Sequence, residues 1–198
     1  MKKRLGFDLI ILGDSASGKD TQAELLMKKY DLSPVASGAY FRRLMKERRY
    51  ENILEKTYSK GLPAPTILML GLLKESFEAI KSGQDFVFIG AARLKEEAEF
   101  LVKYLKKQKR DFFAIYIKLP KQEVIKRSLK RSRKEDHNPK FIANRFDYYK
   151  KEVSRTKEFY QKLGRLKFIN GNQPVGRVAR DIQETIHDYQ QSQGNRTA

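Results

Sequence analysis

Leu9-Ile10-Ile11-Leu12-Gly13-Asp14-Ser15-Ala16-Ser17-Gly18-Lys19-Asp20-Thr21-Gln22 decides how this chain is read. Residues 7–12 form an apolar run broken only by Asp8, without alternation, as expected of a strand buried on both faces. Residues 19–30 then take up a helical period. Between them, Gly13 and Gly18 allow the backbone to curl so that successive N–H groups point inward at one anion. The start of the helix adds favourable potential at the same place. Lys19 directly follows the second glycine, and Thr21 brings a hydroxyl into the first turn. Strand, glycine loop, lysine and helix in that order describe a phosphate-binding loop. A glycine- and serine-rich helix cap accounts for the turn but not for the agreement of all four. The usual pattern has Ser or Thr straight after the lysine, whereas here Asp20 intervenes.

Outward from this loop, short apolar runs alternate with longer helical periods, which predicts βαβ units around a mostly parallel sheet. Further strands are expected at residues 35–37, 86–89, 112–117 and 166–169. Helices are expected at residues 39–49, 66–81, 94–109, 121–132, 139–163 and 174–190. Pro139 and Pro174 suit the first turn of a helix, where a missing N–H costs nothing, and Asn138 is a good cap before the first. Residues 190–198 are polar and expected to fray. A length of 198 residues suits one domain with a sizeable core, and there is no internal repeat.

The absence of cysteine excludes a disulfide framework, thiol chemistry and a cysteine zinc site. No apolar run nears the ~20 residues that cross a bilayer. The basic start resembles a signal peptide only superficially, because Asp8 interrupts the apolar stretch and that stretch ends in a glycine turn. A cytoplasmic location is the default expectation. The net charge of +18 predicts attraction to polyanions and phosphorylated ligands. Residues 121–134 hold seven Lys/Arg against one Glu, and residues 42–49 hold five against one. Aromatic residues do not interleave the first cluster, as stacking on single strands needs, so nucleic acid is the lesser alternative to a nucleotide partner.

Several segments keep step with one family. Lys19-Asp20-Thr21-Gln22, Ser37-Gly38-Ala39-Tyr40-Phe41-Arg42 and Gly61-Leu62-Pro63-Ala64-Pro65-Thr66 are three of them. Phe88-Ile89-Gly90-Ala91-Ala92-Arg93 with Glu97-Ala98, and Ile169-Asn170-Gly171-Asn172-Gln173-Pro174-Val175, are two more. Together they resemble the adenylate kinase family of nucleoside monophosphate kinases, in which the loop reads GxPGxGKGTQ, the acceptor segment (S/T)GDxLR and the later turns LDGFPR and IDGxxPV. The likeness runs over about residues 7–190.

The resemblance implies a P-loop NTPase fold, an α/β three-layer sandwich on a five-stranded parallel sheet. It implies one kinase domain over residues 1–198, with an acceptor-binding subdomain near 38–66 and a short, cysteine-free lid near 131–138. Gly13, Asp14, Ser15, Ala16, Ser17, Gly18, Lys19, Asp20 and Thr21 then hold the phosphates of ATP, with Thr21 beside Mg²⁺ and Gln173 in the turn flanking the donor base. Arg42 and Arg93 match arginines on the acceptor phosphate, while Ser37, Ala64 and Glu97 fall in the acceptor-binding segments. Arg127 and Arg131 match two arginines four apart on one helix, and Arg145 matches the lone arginine after the lid. Arg127 also serves the donor and Arg145 the acceptor. Lys19, Arg93, Arg127, Arg131 and Arg145 form the implied catalytic set of an enzyme expected to be a monomer acting on nucleotides, transferring the γ-phosphoryl of ATP to a (deoxy)nucleoside monophosphate.

The physics of the set is independent of the name. Phosphoryl transfer needs in-line positioning and neutralisation of oxygen charge more than covalent work by protein. Arginine suits it, because a planar fork binds phosphate bidentately and stays charged. Residues at i,i+4, such as Arg127 and Arg131, share one helix face and can address one anion.

Departures from the pattern carry their own expectations. Ile89 replaces the strand-end aspartate that holds the magnesium hydration shell, so Mg²⁺ is expected to rest on the phosphates, Thr21 and water, with Asp14 or Asp20 as compensating carboxylates. If transfer depends on that aspartate, the chain binds nucleotide without turning it over. Ala39 replaces an aspartate, and Ala91-Ala92 a Phe-Pro pair. Arg133 or Lys134 is expected to face the donor phosphates, Asp136 matches an acidic lid position, and His137 has no assigned role. Glu97 replaces a glutamine that both donates and accepts. An ionised glutamate only accepts, which favours a donor-rich base edge such as that of guanine, so GMP, dGMP or a CMP-type base joins AMP among the expected acceptors.

Overall fold

The computed structural model describes residues 2–130 and 138–197. Among the described residues five strands form one parallel sheet. They are β1 (Asp8–Gly13), β2 (Leu32–Ala36), β3 (Asp85–Ile89), β4 (Phe112–Lys118) and β5 (Leu166–Asn170), in the order β2-β3-β1-β4-β5. The helices are α1 (Lys19–Lys29), α2 (Ser37–Lys46), α3 (Glu51–Lys56), α4 (Thr66–Ala79), α5 (Lys95–Lys107), α6 (Lys121–Leu129), α7 (Pro139–Lys162) and α8 (Val175–Thr197). Every strand pairing is parallel, and β1 and β4 are in register from Asp8 beside Phe112 to Gly13 beside Ile117. The connections leave β1 and β4 in opposite directions, which opens a crevice at their carboxyl ends.

Successive β1 residues point to opposite faces, so Ile10 and Leu12 enter one core while Leu9 and Ile11 enter another. The first core is closed by Phe41 and Leu44 of α2, Leu73 of α4, Leu101 of α5 and Tyr160 of α7. The second is closed by Ala23 and Leu26 of α1 and by Ile182 and Ile186 of α8. Helices on both faces make the three layers. Asp8, the polar interruption in the first strand, sits at the amino-terminal edge of the sheet. It is buried there, accepting from Phe86 N–H at 2.7 Å and from the Nε and Nη2 of Arg110 at 2.7 and 2.6 Å.

Some boundaries differ from the sequence reading. The second strand begins at Leu32 rather than 35; Pro34 lies inside it, tolerated because β2 is an edge strand. Ser37, expected in that strand, instead opens α2. That helix stops at Lys46, and Arg48 and Tyr50 follow with φ of +54° and +59°. The six-residue α3 and a single 3₁₀ turn at Tyr58–Lys60 are too short to leave a period in the sequence. The polar tail does not fray at residue 190. α8 runs to Thr197, held near that point by buried Tyr189 and by Gln190 Nε2 donating to Leu5 O at 2.7 Å.

Candidate active site

The phosphate loop leaves β1 at the sheet crevice and ends at Gly18, whose φ of +86° lies in the left-handed region as α1 begins. Gly13 cannot carry a side chain: a Cβ there would stand 2.6 Å from Ser17 Oγ and 2.8 Å from Ile117 O. Ala16 adopts φ of +58° where the resembled loop has glycine. Ser17 N–H donates to Asp14 O at 3.2 Å, which closes the curl. Ser17 Oγ is buried without a hydrogen-bond partner among the described residues. A buried hydroxyl of that kind inside the loop fits an anion. Lys19 is buried, with its Nζ 3.5 Å from Asp14 O. Thr21 is exposed in the first turn of α1.

Across the crevice the end of β3 turns through Gly90, with φ of +59°. A Cβ on Gly90 would lie 2.9 Å from Arg93 Nη2 and 3.0 Å from Lys19 Cε. The lysine of the loop and the arginine of the second segment therefore converge on one glycine. Arg93 is held by the Gly90 carbonyl, to which its Nε donates, and by Ser37 Oγ 3.1 Å from its Nη2. Ser37 is buried and donates to the same Gly90 carbonyl at 2.7 Å. Thr156 of α7, which nothing in the sequence singles out, fixes the Arg93 carbonyl by a 2.6 Å bond. Arg42 lies over Gly38, its Nη1 3.2 Å from where a Cβ would stand.

A pocket beyond Arg93 is lined by Ser37, Tyr58, Ala64, Arg93, Glu97 and Arg145. It brings together five residues that the sequence reading assigned to the acceptor; Tyr58 carries no sequence signal. Its open volume is only about 30 Å³. Glu97 is buried, and its Oε2 accepts from the N–H groups of Arg93 at 3.0 Å and Leu94 at 3.2 Å, capping α5. Burial pushes its carboxyl up to about 7 against those N–H groups and Arg93. This corrects the premise of a fully ionised glutamate: near neutral pH the group is partly a neutral acid, able to donate as well as accept.

At the carboxyl end of β5, Arg127 Nη1 donates to Gly171 O at 3.2 Å and its Nε to Glu123 at 3.2 Å, so α6 meets the turn between β5 and α8. Gln173 in that turn is held by Asp181. Arg145 borders both this pocket beside Glu97 and a larger cavity of about 510 Å³ beside Asp14 and Ser15. Arg131, Arg133, Lys134, Asp136 and His137 lie outside the described residues.

The described residues present no cluster of three His, Asp or Glu that could hold a metal. Ile89 is buried in the core. Asp14 does not compensate for it, because its carboxylate faces Tyr116 OH on β4 and Leu119 N–H just past that strand. Thr21 remains as an exposed side-chain oxygen in the first turn of α1, which fits Mg²⁺ arriving on a nucleotide rather than held by the protein alone.

A phosphate loop at the switch point of a parallel sheet, facing an arginine-bearing second pocket across one glycine, defines a P-loop phosphotransferase. A family model described as adenylate kinase matches residues 11–165. The adenylate kinases of Azobacteroides pseudotrichonymphae genomovar. CFP2 and Trichodesmium erythraeum (strain IMS101) are each 31% identical, covering 89% and 90% of this chain and 95% and 96% of their own. That of Bacteroides fragilis (strain YCH46) is 28% identical, covering 90% of this chain and 97% of its own. The chain belongs to the adenylate kinase family, phosphotransferases that use ATP as donor with Mg²⁺ carried on the nucleotide phosphates. No described helix is long and apolar enough to cross a membrane.

Proposed function

We propose that the protein transfers the γ-phosphoryl of ATP to a nucleoside monophosphate whose base lies against Glu97. The observation that carries this is the convergence of Lys19 and Arg93 on Gly90, between the phosphate loop and the second pocket. The loop N–H groups bind the donor phosphates, and Lys19 neutralises the oxygens of the group in transfer. Arg93 and Arg42 orient the acceptor phosphate; Arg145, at the border of the two cavities, faces both. Arg127 and Gln173 line the donor side, with Arg131 beyond the described residues. Residues near 38–66 serve as the acceptor-binding part and those near 131–138 as the lid. Mg²⁺, brought by the nucleotide, supplies charge neutralisation at the phosphates.

With Glu97 partly neutral, AMP is compatible with the pocket, while the ionised form favours a base edge rich in donors. Coupled ADP production with ATP, Mg²⁺ and each monophosphate in turn tests the reading. Turnover with at least one acceptor, abolished by Lys19→Met, is expected. A second reading, binding without transfer, is favoured by buried Ile89 at the strand end. Calorimetric ATP binding with no turnover for any acceptor would establish that reading instead.

A further inference from the structure

Asp14 places a carboxylate inside a loop built to hold anions. Left facing the ligand, it would repel phosphate, more strongly at a protein surface than in bulk water. Its bonding shows another use. One carboxylate oxygen accepts from Tyr116 OH at 2.5 Å and the other from Leu119 N–H at 2.7 Å. The Asp14 N–H donates to Ile117 O at 3.3 Å. Its carbonyl receives Ser17 N–H at 3.2 Å and lies 3.5 Å from Lys19 Nζ. One residue therefore ties the loop to three positions at the end of β4 and presents the carbonyl on which the loop's lysine rests.

The far side of this tie is itself fixed. Tyr116 is buried, with its ring 5.9 Å from that of Phe168 on β5 and 4.8 Å from Lys157 Nζ on α7. Leu119 precedes Pro120, whose carbonyl accepts from Val124 N–H at 3.0 Å as α6 begins. The tie thus spans the phosphate loop, β4 and the root of the helix that carries Arg127.

We infer that Asp14 is a positioning residue, a brace that sets the phosphate loop and Lys19 against the β4–α6 turn. The inference rests on reading the loop as a nucleotide phosphate site. Charge and geometry predict opposite signs for its removal. If Asp14 only repels phosphate, Asp14→Ala tightens ATP binding. If it braces the loop, the same change weakens binding although a negative charge is lost.

The test is calorimetric titration of the full chain with ATP, alongside amide exchange at Leu119 by NMR. Asp14→Ala is expected to weaken ATP binding about tenfold, and Asp14→Asn, which keeps an acceptor oxygen, to recover part of it. Tyr116→Phe is expected to weaken binding about threefold. The double variant Asp14→Ala with Tyr116→Phe should be no worse than Asp14→Ala alone, as expected for partners in one interaction. Leu119 should exchange at least tenfold faster in Asp14→Ala. Equal or tighter ATP binding in Asp14→Ala overturns the brace, as does additivity in the double variant. If Asp14→Ala does not fold, Asp14→Asn and Tyr116→Phe carry the comparison, and unchanged binding in both overturns it. Failure of the unaltered chain to bind ATP sinks the nucleotide reading instead. The brace is then decided by Leu119, where unchanged exchange overturns it.

Discussion

Gly90 shows how little a single position can change before chemistry suffers. Its φ of +59° disfavours any L side chain, and Gly90→Ala should cost about 1–2 kcal/mol of stability. The larger effect is on the site, because the new methyl would meet the far ends of Arg93 and Lys19, which can swing aside without unfolding the chain. Displacement of catalytic groups by about 1 Å can cost on the order of 100-fold in rate. Gly90→Ala should therefore lose about 100-fold in kcat while still unfolding cooperatively; steady-state kinetics beside a thermal melt separate the two. Glu97 yields a second prediction. Its carboxyl sits near 7 when folded against an ordinary value of 4.5, so the folded chain binds the extra proton. Stability from this group is complete below about pH 4.5 and is lost as pH rises through about 7, roughly 3 kcal/mol in all. Arg93, Glu96 and the buried Tyr160 are the charged and titratable neighbours that act on it. Glu97→Gln should gain about that much relative to the unaltered chain between pH 4.5 and 8 in denaturant titrations; a pH-independent difference would refute the assignment. The loop residues and Arg93 were legible because their types and spacing are set by phosphate chemistry. Tyr116, Thr156 and Tyr58 were not, since each acts through a contact between segments distant in sequence.

At the scale of elements, the proposed acceptor pocket is closed by helices leaning on one another. Asn144 of α7 donates through Nδ2 to Lys60 O at 2.9 Å, and a Cβ on Gly61 would stand 2.4 Å from Phe141 O. With about 30 Å³ open, the pocket is expected to admit a base once the 3₁₀ turn and the start of α7 separate. Asn144→Ala removes one partly exposed hydrogen bond from the closed arrangement, worth about 0.5–1 kcal/mol. The KM for the acceptor should accordingly fall about two- to fivefold with kcat little changed. An unchanged or higher KM in acceptor titrations would show that the contact does not oppose binding. Strand positions were readable because buried parallel strands leave unbroken apolar runs, and α7 because Asn138 and Pro139 mark its start. Asn138 does cap it, accepting from the N–H groups of Lys140 at 2.9 Å and Phe141 at 3.3 Å. The short α3 and the true start of β2 escaped, because one and a half turns give no period and Pro34 disguises an edge strand.

For the molecule as a whole, the sheet separates what holds it together from what acts. The carboxyl ends of the strands carry the phosphate loop and Gly90. The amino ends carry Asp8, buried and gripped by both arms of Arg110, with burial nonetheless pushing its carboxyl up. The six residues of β1 put roughly 17 Å between the two edges. Arg110→Ala strands a buried carboxylate with Phe86 N–H as its remaining partner among these bonds, which should cost about 3–5 kcal/mol. A loss of that size is a large share of an ordinary domain's stability of about 5–15 kcal/mol. Arg110→Lys, which keeps the charge but not the fork, should lose less. Measured well below their unfolding temperatures, both variants should keep kcat/KM within about twofold of the unaltered chain, because neither touches the crevice. Denaturant midpoints and steady-state kinetics on the same preparations decide the matter: a fall in kcat/KM that tracks the loss of stability would mean that the two edges of the sheet are coupled.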